Sequence, residues 1–176
     1  MSLHQLLSLI QLQNLLCLLQ NYDELFDGML GNWQTEPVKF ELKQDAKPFH
    51  GKPFLVPRVY PETLRKEVDR LVEIGVLKRQ PYLEWASNIS IIPKKNKQVH
   101  FVSDFREVNK RLVRKPYPIP KIATVLQEME GFSLATQLDL NMGYYTIRLD
   151  AYAQKICTII LPWGKYSYLR LPMDIA

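Results

Sequence analysis

The stretch that decides the fold is Gln137-Leu138-Asp139-Leu140-Asn141-Met142-Gly143-Tyr144-Tyr145-Thr146-Ile147-Arg148-Leu149. The apolar run from Phe132 to Leu138 is typical of a strand, and it ends at one carboxylate, Asp139. Turn-forming residues follow at once, with two aromatic rings just beyond them. A carboxylate at a strand end is a hard oxygen ligand suited to Mg²⁺ and to a phosphate that shares the ion. The alternative is that Asp139 only caps the next helical turn.

The composition is that of an ordinary globular chain, and the charge is more informative once it is located. The 176 residues are 47% hydrophobic and 23% charged, with a net charge of +5. Between Lys94 and Lys121 lie nine basic residues and only two acidic ones, Asp104 and Glu107. Such a basic segment suits a polyanion such as nucleic acid. The alternative is a solvated surface without a ligand.

The cysteine spacing argues against a zinc-binding or disulfide-stabilised protein, and the leucine-rich start argues against a membrane span. Cys17 and Cys157 are far apart and lack CxxC spacing, so neither a zinc site nor a disulfide framework is predicted, and Cys157 is expected to be a buried thiol. The leucines of Leu3 to Leu19 recur at helical spacing, but their longest apolar run, from Leu15, is too short for a membrane span. We expect an amphipathic linker or docking helix there.

The remaining elements follow from periodicity and from Gly and Pro positions. Pro61 and Gly75 bracket a helix. A basic tip, residues 94–98, separates two predicted strands. The further predictions are a strand at Val38 to Leu42, strands at Ile89 to Pro93 and Val99 to Val102, a helix at Ile122 to Met129, and a hairpin of Lys155 to Leu161 and Lys165 to Leu171 around Pro162-Trp163-Gly164.

Several motifs in a fixed order resemble the reverse transcriptase region of Pol polyproteins from long-terminal-repeat retrotransposons of the Ty3/gypsy type. They are Glu84-Trp85-Ala86-Ser87, Ile92-Pro93-Lys94-Lys95, Ser103-Asp104-Phe105-Arg106-Glu107-Val108-Asn109-Lys110-Arg111, Lys115-Pro116-Tyr117-Pro118-Ile119-Pro120-Lys121, Leu138-Asp139-Leu140-Asn141-Met142-Gly143-Tyr144-Tyr145, Leu161-Pro162-Trp163-Gly164-Lys165-Tyr166 and Leu169-Arg170-Leu171-Pro172-Met173. The resemblance covers Asn21 to Ala176. It implies an α+β fold, the fingers and partial palm of a right-hand polymerase, truncated before the Tyr-x-Asp-Asp hairpin. The implied regions are an N-terminal helix and linker at 1–32, a fingers-like region at 33–121 and a partial palm at 122–176.

The resemblance also implies a role for individual residues. Asp139 is the catalytic and metal-binding residue, and Mg²⁺ is the cofactor of the intact parent enzyme. The implied nucleotide-binding residues are Lys94, Lys95, His100, Leu140, Met142, Gly143, Tyr144 and Met173. Arg106, Asn109, Lys110 and Arg111 are the implied nucleic-acid-binding residues. The implied partners are an RNA or DNA template with primer, deoxynucleoside triphosphates and downstream Pol domains, with no membrane, in the cytoplasm, the nucleus or retrotransposon particles.

Three departures from the family pattern bear on activity. The chain contains no Asp-Asp pair, and one carboxylate is too few to hold two divalent ions. His100 stands where the family carries an Arg, and Asp174 stands where the family carries a Gly. We therefore expect a truncated or decayed reverse transcriptase that is inactive as this chain. The alternatives are a non-catalytic nucleic-acid-binding module and a structural remnant.

Overall fold

The structure is a computed structural model, and it describes residues 8–53, 55–57, 59–93, 99–131, 137 and 139–175. The side chains of Pro93, Val99 and His100 are also outside the description. The chain forms two compact units, Met1–Leu30 and Gly31–Ala176. None of the described helices is both long and apolar enough to cross a membrane.

The first unit contains α1 (Leu9–Gln20) and a short 3-10 helix (Asp23–Phe26). Ser8 caps α1 in a capping box, because its Oγ accepts from Gln11 N at 3.3 Å and Gln11 Oε1 accepts from Ser8 N at 2.8 Å. The helix predicted from Leu3 is therefore confirmed from Leu9 onward, with Ser8 as its cap, and its first five positions lie outside the described residues. No side chain of α1 is buried.

In the second unit, α2 (Pro61–Glu73) leads into β1 (Leu77–Arg79). Pro61 occupies the first turn, where a missing N–H costs nothing. Leu64, Val68 and Leu71 form the buried stripe. Gly75 ends the helix with a φ of 73°, in the left-handed region that favours glycine. The predicted helix is confirmed with both of its ends.

The described strands form two antiparallel sheets. β2 (Asn88–Pro93) pairs with β3 (Val99–Asp104), so the two predicted strands are confirmed, while their basic tip lies outside the described residues. β4 (Thr158–Leu161) and β5 (Gly164–Tyr168) form a hairpin, and β1 adds to the other edge of β5 in the order β1-β5-β4. The parallel bridge between Ser87 and Ile159 joins the two sheets.

The start of the predicted β4 strand is wrong. Lys155 and Ile156 belong instead to α5 (Ala151–Ile156). Asp150 begins that helix by accepting a hydrogen bond from Ala153 N at 2.7 Å through Oδ1. Cys157 ends it and is buried as expected, one residue before β4.

Shorter elements complete the unit. α3 (Arg106–Asn109) follows β3 directly, and α4 (Ile122–Glu128) is the predicted short helix. The predicted strand at Val38 to Leu42 forms only two isolated bridges, Val38 with Leu149 and Leu42 with Leu112. The predicted strand that ends at Asp139 lies almost entirely outside the described residues.

The core of this unit fills the space between α2, the two sheets and α5. Its side chains are those of Leu64, Val68, Val76, Leu77, Ile89, Phe105, Val108, Leu112, Ile156, Ile159 and Leu161. Because residues on both sides of position 121 contribute to it, this core spans the implied boundary between the fingers-like region and the partial palm.

Candidate functional site: the Asp139 cleft

The turn after Asp139 is a compact, internally bonded structure. Met142 adopts left-handed angles (φ 55°, ψ 34°), and a 3-10 helix follows at Gly143–Thr146. Thr146 Oγ1 donates to Gly143 O at 2.7 Å, which closes the turn. A Cβ at position 143 would lie 3.2 Å from Leu140 Cβ, so glycine lets the backbone fold tightly against Leu140.

This turn forms one wall of an open cleft of about 600 Å³, here called the Asp139 cleft. Its lining residues are Trp33, Asp139, Leu140, Met142, Gly143, Tyr144, Tyr145, Ile147 and Met173. The structure therefore brings together the implied catalytic residue and five implied nucleotide-binding residues. Their roles remain predictions.

Asp139 is exposed, and its carboxylate has no hydrogen bond or ion pair with any described residue. The 3-10 helix that follows begins after Met142, and Asp139 does not cap it. The alternative reading of Asp139 as a helix cap is thus wrong within the described structure. An exposed carboxylate with unoccupied lone pairs on the wall of a cleft is available to a cation.

Trp33 lines the cleft and had no sequence signal, since it lies far from any of the motifs. Its backbone N–H donates to Thr146 O at 2.9 Å. Arg170 strengthens the same junction by donating from Nη1 to Asn32 Oδ1 at 2.8 Å. Long-range hydrogen bonds therefore carry the tryptophan to the turn.

A smaller cavity of about 60 Å³ lies next to the cleft and shares Tyr145 and Met173 with it. In its wall, Ser103 Oγ and the Tyr168 hydroxyl form a buried hydrogen bond of 2.8 Å. The Tyr145 and Tyr168 rings stack with centroids 6.2 Å apart. Burial raises the pKa of both phenols, that of Tyr168 well above its usual value.

Asp174 adopts the left-handed conformation (φ 64°), which explains why a glycine suits this position in the family pattern. It lines the small cavity, and the Asp139 cleft does not include it. Its backbone carbonyl accepts a hydrogen bond from Asn109 Nδ2 at 2.8 Å. The residue that replaces the family's Gly therefore lies at the small cavity, and Asn109 supports the turn that presents Met173.

The implied nucleic-acid-binding residues are tied into ion pairs to different degrees. Arg106 pairs with Asp104 through two contacts of 2.8 and 2.6 Å, and this hydrogen bonding lowers the pKa of Asp104. The Arg106 side chain is nevertheless 85% exposed. Lys110 Nζ lies 2.5 Å from Glu107 Oε1, and that contact is the main cause of a lowered pKa at Glu107.

The Arg111 side chain contacts Glu107, Lys47 and Phe49 within the same unit. It donates from Nη1 to Glu107 Oε2 at 3.0 Å and from Nε to Lys47 O at 3.0 Å, and it lies 5.6 Å from the ring centroid of Phe49. Nη1 also donates to Glu107 O, so these hydrogen bonds use three of the five guanidinium N–H donors. Of the other implied nucleotide-binding residues, Lys94 and Lys95 lie outside the described residues, as does the side chain of His100.

The described residues fit only part of a metal centre. They contain no group of three or more His, Cys, Asp or Glu side chains placed to hold an ion. Asp139 offers one hard ligand, whereas a two-metal phosphoryl-transfer site needs bridging carboxylates from more than one segment. The described residues therefore do not complete a two-metal site.

A scan against protein-family models finds no match. Curated relatives are nevertheless clear. The uncharacterized protein K02A2.6 of Caenorhabditis elegans is 29% identical over 158 residues, covering 88% of this chain and 12% of that protein. The retrovirus-related Pol polyprotein from transposon 412 of Drosophila melanogaster is 26% identical over 180 residues, covering 89% of this chain and 14% of the polyprotein. The chain thus spans about one seventh of the length of these relatives or less.

Solved structures agree on the fold. Prototype foamy virus protease-reverse transcriptase matches with a TM-score of 0.79 at 22% identity, over 97% of this chain and 23% of that one. The foamy viral protease-reverse transcriptase in complex with an RNA/DNA hybrid matches with a TM-score of 0.80 at 20% identity, with the same coverage. The α+β polymerase fold is therefore confirmed, as is the resemblance to Ty3/gypsy-type Pol polyproteins. The relatives of this chain include retrotransposon Pol polyproteins, and its fold matches about a quarter of the foamy virus protease-reverse transcriptase chain.

Proposed function

We propose that this chain is the part of a retrotransposon reverse transcriptase that receives the incoming nucleotide, and that the Asp139 cleft is the receiving site. The observation that carries the proposal is the convergence of an unpaired carboxylate and a tight glycine turn on one open cleft. In this proposal the intact polyprotein performs primer extension by two-metal nucleotidyl transfer.

Five of the residues that line the cleft would contact the metal ion or the nucleotide. In the intact polyprotein Asp139 would supply one ligand to Mg²⁺, which would polarise phosphate oxygens. The backbone at Leu140, Met142 and Gly143 would contact the triphosphate. The half-exposed ring of Tyr144 would lie under the sugar and disfavour a 2′-hydroxyl by steric exclusion.

The binding partners of the relatives support a nucleic-acid ligand. Foamy viral protease-reverse transcriptase has been solved with an RNA/DNA hybrid and with double-stranded DNA. We extend this to the present chain as a proposal, with primer–template as the ligand.

The first test concerns the Asp139 cleft directly. We expect Mn²⁺ with a deoxynucleoside triphosphate to broaden the amide resonances of Leu140, Met142 and Gly143 in a heteronuclear NMR spectrum. An Asp139→Asn variant should lose most of this broadening, because the amide is a weaker ligand of a hard cation. Asp45→Asn, at an exposed acid outside the cleft, should leave it intact. Equal broadening in all three proteins would reject the cleft as the nucleotide site.

The second test concerns catalysis by these 176 residues. We expect no primer extension with Mg²⁺ and nucleotides, since the chain contains no Asp-Asp pair to complete the metal site. Template-dependent incorporation above that of Asp139→Asn would contradict this expectation. The alternative function, a nucleic-acid-binding module without catalysis, predicts binding of primer–template that is unchanged in Asp139→Asn and indifferent to nucleotides.

A further inference from the structure

We infer that Arg148 and Arg170 together bind one oxyanion group, a phosphate or a carboxylate, between their guanidinium groups. The two arginines face each other in an isolated antiparallel bridge of the second unit. Their site is separate from the Asp139 cleft, which is lined by other residues, and it does not depend on the proposed function.

The backbone places both arginine side chains on one face of a short ladder. Two backbone hydrogen bonds flank the bridge, from Leu149 N to Leu169 O at 3.0 Å and from Leu171 N to Ile147 O at 2.9 Å. The arginines are therefore a non-hydrogen-bonded pair, the kind in which Cα atoms are about 4.5 Å apart and side chains are closest. Because side chains alternate along a strand and Ile147 lines the Asp139 cleft, the arginines lie on the opposite face.

Neither guanidinium has a carboxylate within salt-bridge distance in the described part of the chain. Arg148 is exposed. Arg170 Nη1 donates only to neutral acceptors, Asn32 Oδ1 at 2.8 Å and Thr146 O at 3.4 Å. Burial, and then the positive charge of Arg148, lower the pKa of Arg170. Like charges directly opposite each other destabilise a ladder, and an anion between them removes that cost.

The surroundings of the pair suit a single oxyanion group rather than a polyanion. Asp150 follows Leu149, and Lys39 follows Val38, the residue that forms a parallel bridge with Leu149. The charges next to the pair are thus one negative and one positive. A phosphodiester strand gains affinity from several cations in a row. One phosphate or carboxylate needs only the two guanidinium forks, whose parallel N–H groups match its oxygens.

The test measures thermal unfolding of the whole chain in inorganic phosphate and in NaCl of the same ionic strength. The variant is Arg148→Gln. The matched control is Arg114→Gln, which removes the same charge at another exposed arginine without a described acidic partner. Neither Mg²⁺ nor nucleotide is present, so Asp139→Asn should respond as the wild type does, whether or not the Asp139 cleft binds nucleotide.

We expect phosphate, at roughly ten times its dissociation constant, to raise the Tm of the wild type by about 3 to 6 °C more than that of Arg148→Gln. Arg114→Gln should respond as the wild type does. The general stabilisation by an excluded salt acts on all of these proteins, so it cancels in the comparison. Arg148→Glu places a carboxylate opposite Arg170, and it should have a higher Tm than the wild type in NaCl and no specific response to phosphate.

Further measurements distinguish the sources of the oxyanion. Acetate and a poly-glutamate peptide are compared at equal carboxylate concentration. A larger Arg148-dependent shift with the peptide would support a protein segment as the source, and equal shifts would support a free anion. An equal phosphate response in the wild type and Arg148→Gln would overturn the inference. Arg148-dependent stabilisation by a single-stranded oligonucleotide but not by phosphate or acetate would also overturn it, because the pair would then contact nucleic acid.

Discussion

The Tyr168 phenol is buried in the core, and its hydroxyl forms a hydrogen bond of 2.8 Å with Ser103 and a second side-chain hydrogen bond with Tyr145. The pair joins β5 to β3 at the small cavity beside the Asp139 cleft. In a buried position the cost of removing one partner exceeds the net gain of the bond, because the other partner is left unsatisfied.

We expect Tyr168→Phe to lower the free energy of unfolding by about 1 to 3 kcal/mol, since it strands the Ser103 hydroxyl. Ser103→Ala in the same background should recover part of that loss, because both polar groups are then gone. Urea denaturation of both single variants and the double variant measures the coupling. Additive losses would mean that the hydrogen bond contributes nothing specific.

The surroundings of Gly51 leave no space for a side chain. A Cβ at this position would overlap Asn88 Oδ1 and lie 3.2 Å from Ala86 O. The backbone there is fixed on both sides of Ala86, since Gly51 N donates to Ala86 O and Ala86 N donates to Phe49 O.

Gly51→Ala should therefore lower the free energy of unfolding by about 1 to 3 kcal/mol, the usual cost of overpacking. Asn88→Ala should relieve most of this cost when combined with Gly51→Ala, because it removes the overlapping oxygen. Thermal unfolding of the four proteins of this cycle is the measurement. If Gly51→Ala costs the same in both backgrounds, the carbonyl of Ala86 is the real obstacle.

Among the elements, α5 is a helix capped by Asp150, although its last two residues fit a strand pattern in the sequence. Asp150 holds Ala153 N at 2.7 Å, and the chain stays helical through Ile156. We expect Asp150→Ala to lower the free energy of unfolding by about 1 kcal/mol. Asp150→Asn keeps an acceptor oxygen and should cost clearly less in the same urea experiment. Equal losses for Ala and Asn would point to the carboxylate charge rather than the cap.

Elements whose ends are marked by Pro or Gly in the sequence could be predicted. Elements whose secondary structure depends on pairing with distant segments could not. Pro61 and Gly75 mark the ends of α2 in the sequence itself. In contrast, Lys155 and Ile156 fit an apolar strand pattern until the cap at Asp150 is considered. Val38 to Leu42 has strand-like alternation, but its partners Leu149 and Leu112 come from different segments, so only isolated bridges form.

The same distinction holds for the site. The motif predicted five residues of one turn as site residues, and all five line one cleft: Asp139, Leu140, Met142, Gly143 and Tyr144. Trp33 is held at that cleft by a backbone hydrogen bond to Thr146, and no local sequence pattern predicts this long-range contact. Arg111 is predicted to contact nucleic acid, and no sequence pattern showed that Glu107 and Lys47 accept hydrogen bonds from its guanidinium, because these contacts depend on tertiary folding.

For the whole molecule, buried acids that are neutral at pH 7 set the alkaline limit of stability. Burial raises the pKa of Tyr168 and that of the Cys157 thiol. In the unfolded chain these groups lose their protons near their ordinary pKa values, whereas in the folded chain they keep them. Their contribution to stability is therefore fully present below the unfolded pKa values and declines as pH rises above them.

We expect the free energy of unfolding to fall above about pH 9, first through Cys157 and then through Tyr168, by roughly 1.4 kcal/mol per pH unit for each group. Tyr168→Phe should fall less steeply than the wild type above about pH 10, because one titrating phenol is gone. Urea denaturation across this pH range makes the comparison. Parallel curves for the two proteins would show that Tyr168 ionises equally in both states.

The pairing of β1 with β5 has a consequence for how the chain is made. Arg79 pairs with Tyr166, so β1 leaves the ribosome long before its partner strand has been translated. At about 5 to 20 residues per second, that interval lasts on the order of 5 to 20 seconds. During this time the edge of β1 that pairs with β5 has no partner strand, so a nascent chain that stalls in the interval should be a substrate for chaperones and proteases.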